Sequence, residues 1–205
     1  GFYAMKYEIS QEQYVKFLNK LTRAQQVGLL PDLSKLKKGD FLFGNSKKVT
    51  GRNGIYIAND EAGKPYAFAD SLDVSQGDEL SINGETIACN FMSVADMLAY
   101  ADWMGLRPLS EMEYEKMARR PFPIIPLVHE YAWNTANILP PPSGIENEGT
   151  ANETASDGNA NYGNALKGPL RVGAFAVNKE GQEESGVGFY GAMDLSGNLS
   201  EIYYN

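Results

Sequence analysis

The chain has 205 residues, 43% of them hydrophobic and 21% charged. Those proportions are near globular averages and exclude a disordered or fibrous class, and a chain this long buries roughly 70% of its unfolded surface. With 18 Lys and Arg against 26 Asp and Glu the formal net charge is −8, which argues against nucleic acid as a partner and would not repel calcium or another hard cation. No apolar run reaches the ~18 residues of a membrane span, and the lone Cys89 cannot form an internal disulfide. A soluble, folded protein is expected, with no leader before residue 1.

In chain order, Phe2 to Ile9 shows partial apolar–polar alternation and predicts a strand. Ser10 and Gln13 form a capping box, with Tyr14, Phe17, Leu18 and Leu21 at helical spacing behind it. Residues 22–88 carry frequent turn glycines between the short strand candidates "FLFG", "GIYIA", "YAFA" and "ELSI", and predict a β-rich insertion. A second helix is capped by Ser93 and Asp96 and ends at Gly105; a third is capped by Ser110 and Glu113 and stops at Pro121. From Pro121 to Tyr162 the Pro, Gly, Asn and Ser content predicts a long irregular region, of the kind that is functional or held by something bound. Strand patterning returns in "RVGAFAV", "VGFYGAMDL" and "LSEIYYN".

Three segments, read in order, carry a resemblance. "FYAMKYEISQEQYVKFLN" resembles the opening strand and helix of the formylglycine-generating enzyme family, also called the sulfatase-modifying factor domain. "SVADMLAYADWMGLRPLSEMEYEKMARRP" is similar to that family's helix ending in Trp-x-Gly and the Glu-rich helix after it. "YAWN" and "GAMDLSGNLSE" resemble its Tyr-Pro-Trp-Gly and Gly-Asn-Val-Trp-Glu-Trp segments, with Ser200 and Ile202 where the family has tryptophans. The resemblance covers about two thirds of the chain. It implies an α+β, C-type-lectin-like fold over residues 1–205: a few helices packed on small irregular antiparallel sheets with long loops, carrying the β-rich insertion at about 22–88 and a loop insertion at about 139–158.

The chemistry of the residues narrows the function. Trp103 and Trp133 are expected to anchor cores. Cys89 lies among apolar residues, as a buried small hydrophobe does. His129 is the only histidine, so neither a histidine metal site nor a triad with a nucleophile elbow is expected. The "SDGNANYG" loop alternates Asp157, Asn159 and Asn161 without the spacing of an EF-hand. The resemblance implies calcium, with Asn161 at one site and Asn198 and Glu201 at another. Copper, which the family's oxidising members hold through paired cysteines, is not supported by this chain.

These readings predict no catalytic residues and a non-catalytic domain that binds a protein or glycan ligand, such as a displayed or secreted receptor or adhesin outside the cytoplasm. The alternative is a fragment of a cysteine-oxidising sulfatase-modifying enzyme whose catalytic cysteines lie beyond Asn205.

Overall fold

The computed structural model describes all residues except 31, 73–83, 122, 141, 164, 165, 178 and 205. The chain is α+β, and it divides into two compact units: Ile9–Arg107 with Gly149–Ala151, and Gly1–Glu8 with Pro108–Glu148 and Asn152–Asn205.

In the first unit, helix α1 (Gln11–Leu18) starts where expected, because the Ser10 hydroxyl accepts from the Gln13 N–H and the Gln13 side chain accepts from the Ser10 N–H. Its inner face buries Tyr14, Phe17 and Leu18. Helix α2 (Arg23–Leu29) then occupies the head of the region expected to be β-rich. Thr22 and Gln25 form a capping box of the same kind, and the fully buried Gln26 holds the helix in place: its amide donates to the carbonyls of Leu18 and Tyr66 and its oxygen accepts from the Tyr66 N–H.

Strands β1 (Ile55–Asn59) and β2 (Ala67–Asp70) pair antiparallel, matching "GIYIA" and "YAFA". "FLFG" contributes only a single bridge between Phe41 and Tyr56, and "ELSI" lies outside the described residues. Helix α3 (Val94–Trp103) has its Ser93–Asp96 box and stops beside Gly105 in a left-handed conformation, φ 69°. The core gathers Tyr14, Phe17, Leu18, Ile55, Ile57, Phe68 and Tyr100, and the Tyr14 hydroxyl donates to Asp96 at 2.7 Å. Trp103 lies against Phe17 and Tyr100 but keeps 43% of its surface in water, so it covers the edge of this core instead of anchoring it.

In the second unit, β3 (Leu109–Ser110) leads into helix α4 (Glu111–Ala118), capped by the Ser110–Glu113 box. The long loop region is irregular as expected, apart from a short antiparallel pair, β4 (Ile145–Glu146) with β5 (Thr154–Ala155). Helix α5 (Gln182–Ser185) is a single turn, and β6 (Tyr203–Tyr204) pairs with β3 in parallel, a departure from the all-antiparallel expectation. Trp133 is buried as expected, stacked on Tyr131 with its indole N–H donating to the Asn137 carbonyl.

The strands expected at Phe2–Ile9, "RVGAFAV" and "VGFYGAMDL" do not form. Ala174–Ala176 is a short 3-10 helix, and the opening segment meets the closing one through one backbone bond, Met193 N–H to Lys6 carbonyl. Alternation specifies a strand only where a partner runs alongside for several residues. Here Gly173 in "RVGAFAV" and Gly191 in "VGFYGAMDL" take positive φ, which interrupts an extended run. Among the described residues no helix is long and apolar enough to cross a membrane.

Candidate functional site

The closing segment Gly191–Tyr204 is a chain of tight bends. Asp194 and Asn198 both sit at positive φ (59° and 60°), and Gly197 between them is at 108°. A side-chain carbon at Gly197 would come within 2.9 Å of the Asn161 carbonyl oxygen, so the close approach of these two loops requires glycine. Across that approach the Asn198 N–H donates to the Asn161 carbonyl at 2.8 Å.

Asn198 uses its whole side chain to tie three segments together. Its oxygen accepts from the Leu170 N–H at 2.8 Å and from the Asn161 amide at 3.2 Å. Its amide donates to a carboxylate oxygen of Glu8, whose other oxygen accepts from the Leu199 N–H at 3.0 Å. The orientation of the Asn198 amide is therefore set by its partners: reversing it would face an NH₂ against the Leu170 N–H and an oxygen against Glu8.

Three carboxylates share this neighbourhood. Burial raises the Glu8 carboxyl well above its ordinary range; the Asp194 and Glu201 charges add to the rise, and the Asn198 and Leu199 donors oppose it. Burial likewise pushes Asp194 up to about 6, against the pull of the Gly173 N–H at 2.7 Å and the Arg171 charge. Burial raises Glu201 to about 7, its own backbone N–H opposes the rise, and the Asp194 charge adds to it. The Glu201 residue is nonetheless exposed, and water screens part of this effect.

Beside this cluster lies a shallow cleft of about 560 Å³ that includes Tyr114, Tyr162, Tyr203, Asn161, Asn198 and Glu201 in its lining. The parallel pairing of β3 with β6 sets Leu109 opposite Tyr203, and the Tyr203 ring stacks on Tyr114 from α4 with centroids 5.5 Å apart. The hydroxyl of Tyr114 donates to the Leu195 carbonyl and that of Tyr162 to the Leu139 carbonyl. With these hydroxyls engaged, the cleft is lined by aromatic rings and carboxamide and carboxylate groups.

The fold therefore brings together all three residues expected to bind a cation, Asn161, Asn198 and Glu201, in the lining of one cleft. The donor chemistry around them, carboxylates and amides, suits a hard cation. Their arrangement is less suited: the Asn198 oxygen already accepts two N–H groups, and among the described residues no three Asp, Glu, His or Cys side chains gather closely enough to hold a metal ion. The other members of the "SDGNANYG" loop pin turns. Asp157 accepts from the Ser143 hydroxyl and N–H and from the Gly144 N–H, which holds its carboxyl below the usual range. Asn159 links Leu139 to Glu183.

Two residues of the cluster were not legible in advance. Glu8 reads as part of a strand and reaches Asn198 across 190 positions of sequence; Asp194 reads as part of the strand expected at "VGFYGAMDL". Cys89 is buried in the other unit, where burial pushes its thiol well above the ordinary range. His129 lies exposed in a turn at φ 62°. Compared with protein-family models, with curated proteins and with solved structures, the chain matches none.

Proposed function

We propose that this chain is a non-catalytic ligand-binding domain of the formylglycine-generating-enzyme type, and that its ligand occupies the cleft of Tyr114, Tyr162 and Tyr203. The observation that carries this reading is the stacked Tyr114–Tyr203 pair set beside the Asn161, Asn198 and Glu201 side chains in one open cleft. Flat rings beside hydrogen-bonding amides and a carboxylate suit a ligand with alternating apolar faces and hydroxyls, so a glycan is favoured over a protein segment. The three capping boxes at Ser10, Ser93 and Ser110, in the order the resemblance requires, support the family reading. The buried position of Cys89 supports the non-catalytic one.

Calcium binding through Asn161, Asn198 and Glu201 belongs to the same proposal and rests on the resemblance. Second to burial, the Asp194 charge acts against ionised Glu8 and Glu201, a cost that a cation beside them would lower. Binding by Asn198 would require its oxygen to give up one of its two donors.

The test is a glycan microarray probed with the full chain, with and without calcium, followed by titration of each hit against Tyr203→Ala. Loss of the stacked ring is expected to weaken a true ligand by about tenfold. Hits that bind Tyr203→Ala as tightly as the parent would remove the cleft from the account.

A further inference from the structure

The second unit holds another cleft, of about 540 Å³, which shares no lining residue with the tyrosine cleft. One wall is the opening segment, with Phe2 and Met5; another is the α4 residue Met117, and Tyr190 to Ala192 complete it. Phe2 packs beside the cluster of Met117, Ala118 and Ala192, so the apolar interior of the cleft is continuous with a core.

The charges around this cleft run against those of the whole chain. Lys6 and Lys116 both line it, both are exposed, and among the described residues no Asp or Glu lines it, in a protein with net charge −8. Lys6 lies over the Tyr7 ring at 5.2 Å, and neither lysine has an acidic partner among the described ion pairs. An ammonium pair on an apolar cleft complements a molecule with an apolar body and one anionic end. The thioethers of Met5 and Met117 adapt to a flexible chain, and the small residues Ala4, Gly191 and Ala192 leave room for one.

We infer that this cleft binds a medium-chain fatty-acid anion, with the hydrocarbon chain against Phe2, Met5 and Met117 and the carboxylate between Lys6 and Lys116. The volume lies within the range of small-molecule sites. The site stands apart from the proposed glycan cleft, and either can fail without the other.

Isothermal titration of the full chain with octanoate, octan-1-ol and octylamine at low salt tests the inference, alongside the double variant Lys6→Gln/Lys116→Gln and the filling variant Ala4→Trp. The expected result is one octanoate per chain, weakened about tenfold in the double variant and lost in Ala4→Trp, with octylamine failing to compete. Equal binding of octan-1-ol and octanoate, untouched by the double variant, would overturn it, as would no octanoate binding or full binding by a folded Ala4→Trp. A dimer in sedimentation that octanoate does not displace would make a second copy of the chain the occupant and overturn it equally.

Discussion

Replacing Asp194 by Asn tests whether the carboxylate cluster costs the fold stability. Asp194 is buried and its carboxyl is raised from 3.8 to about 6, so at neutral pH the folded chain holds a charge that the unfolded chain holds more easily. Each tenfold rise in proton affinity costs ~1.4 kcal/mol, and the rise at Asp194 therefore amounts to on the order of 2–3 kcal/mol. The sign follows from proton uptake. Between the unfolded and folded values the native state binds more protons, so the contribution of Asp194 to stability is most favourable below pH ~4 and falls as pH rises through about 6. Asn keeps an oxygen to accept from the Gly173 N–H and tolerates the positive φ of 59°. With chelator present, Asp194→Asn is expected to match the parent near pH 4 in urea denaturation and to exceed it by about 2 kcal/mol at pH 8. A variant no more stable than the parent at pH 8, or one whose advantage does not change with pH, would refute the reasoning.

Gln26→Leu leaves one buried N–H and two buried carbonyls without the partner they have now, and is expected to cost about 3–5 kcal/mol in chemical denaturation; a loss below about 1 kcal/mol would show that the site relaxes. Gly186→Ala forces a side-chain carbon to within 2.1 Å of the Asn159 carbonyl oxygen at φ 65°, and should lower stability by at least ~2 kcal/mol, read as a drop in the thermal midpoint. Cys89 is expected to resist alkylation by iodoacetamide in the native protein and to react fully in urea, measured by intact mass. Rapid native labelling would mean that the first unit opens far more easily than its packing implies.

Helices were legible because a capping box is a signal of four residues that needs nothing from the rest of the chain. The boxes at Ser10, Ser93 and Ser110 each open a helix at the expected residue. The same signal at Thr22 was masked by the turn glycines that follow it, and α2 depends on Gln26 bonding to Tyr66, 40 positions away. Strands were legible only where a neighbour completes them, as β1 does for β2. The alternation in Phe2–Ile9 and "RVGAFAV" finds no such neighbour and becomes irregular chain. At the candidate site, Asn161, Asn198 and Glu201 were picked out by resemblance and do line one cleft. Glu8 and Asp194 escaped because the cost of placing them is a property of the folded neighbourhood, and no local pattern records it.

The tie between Glu8 and Asn198 also bears on how the chain comes to be folded. The Ile9–Arg107 unit has nearly all its parts once that stretch has been synthesised, lacking only Gly149–Ala151. The other unit combines Gly1–Glu8 with residues from Pro108 onward, and these meet where the Met193 N–H donates to the Lys6 carbonyl and where Asn198 and Leu199 hold Glu8. Closing so long a loop is slow compared with local folding. During synthesis the early unit can therefore stand as finished structure while Phe2 and Glu8 wait in water, and a single cut between Asp194 and Asn198 would loosen the ties that hold Glu8.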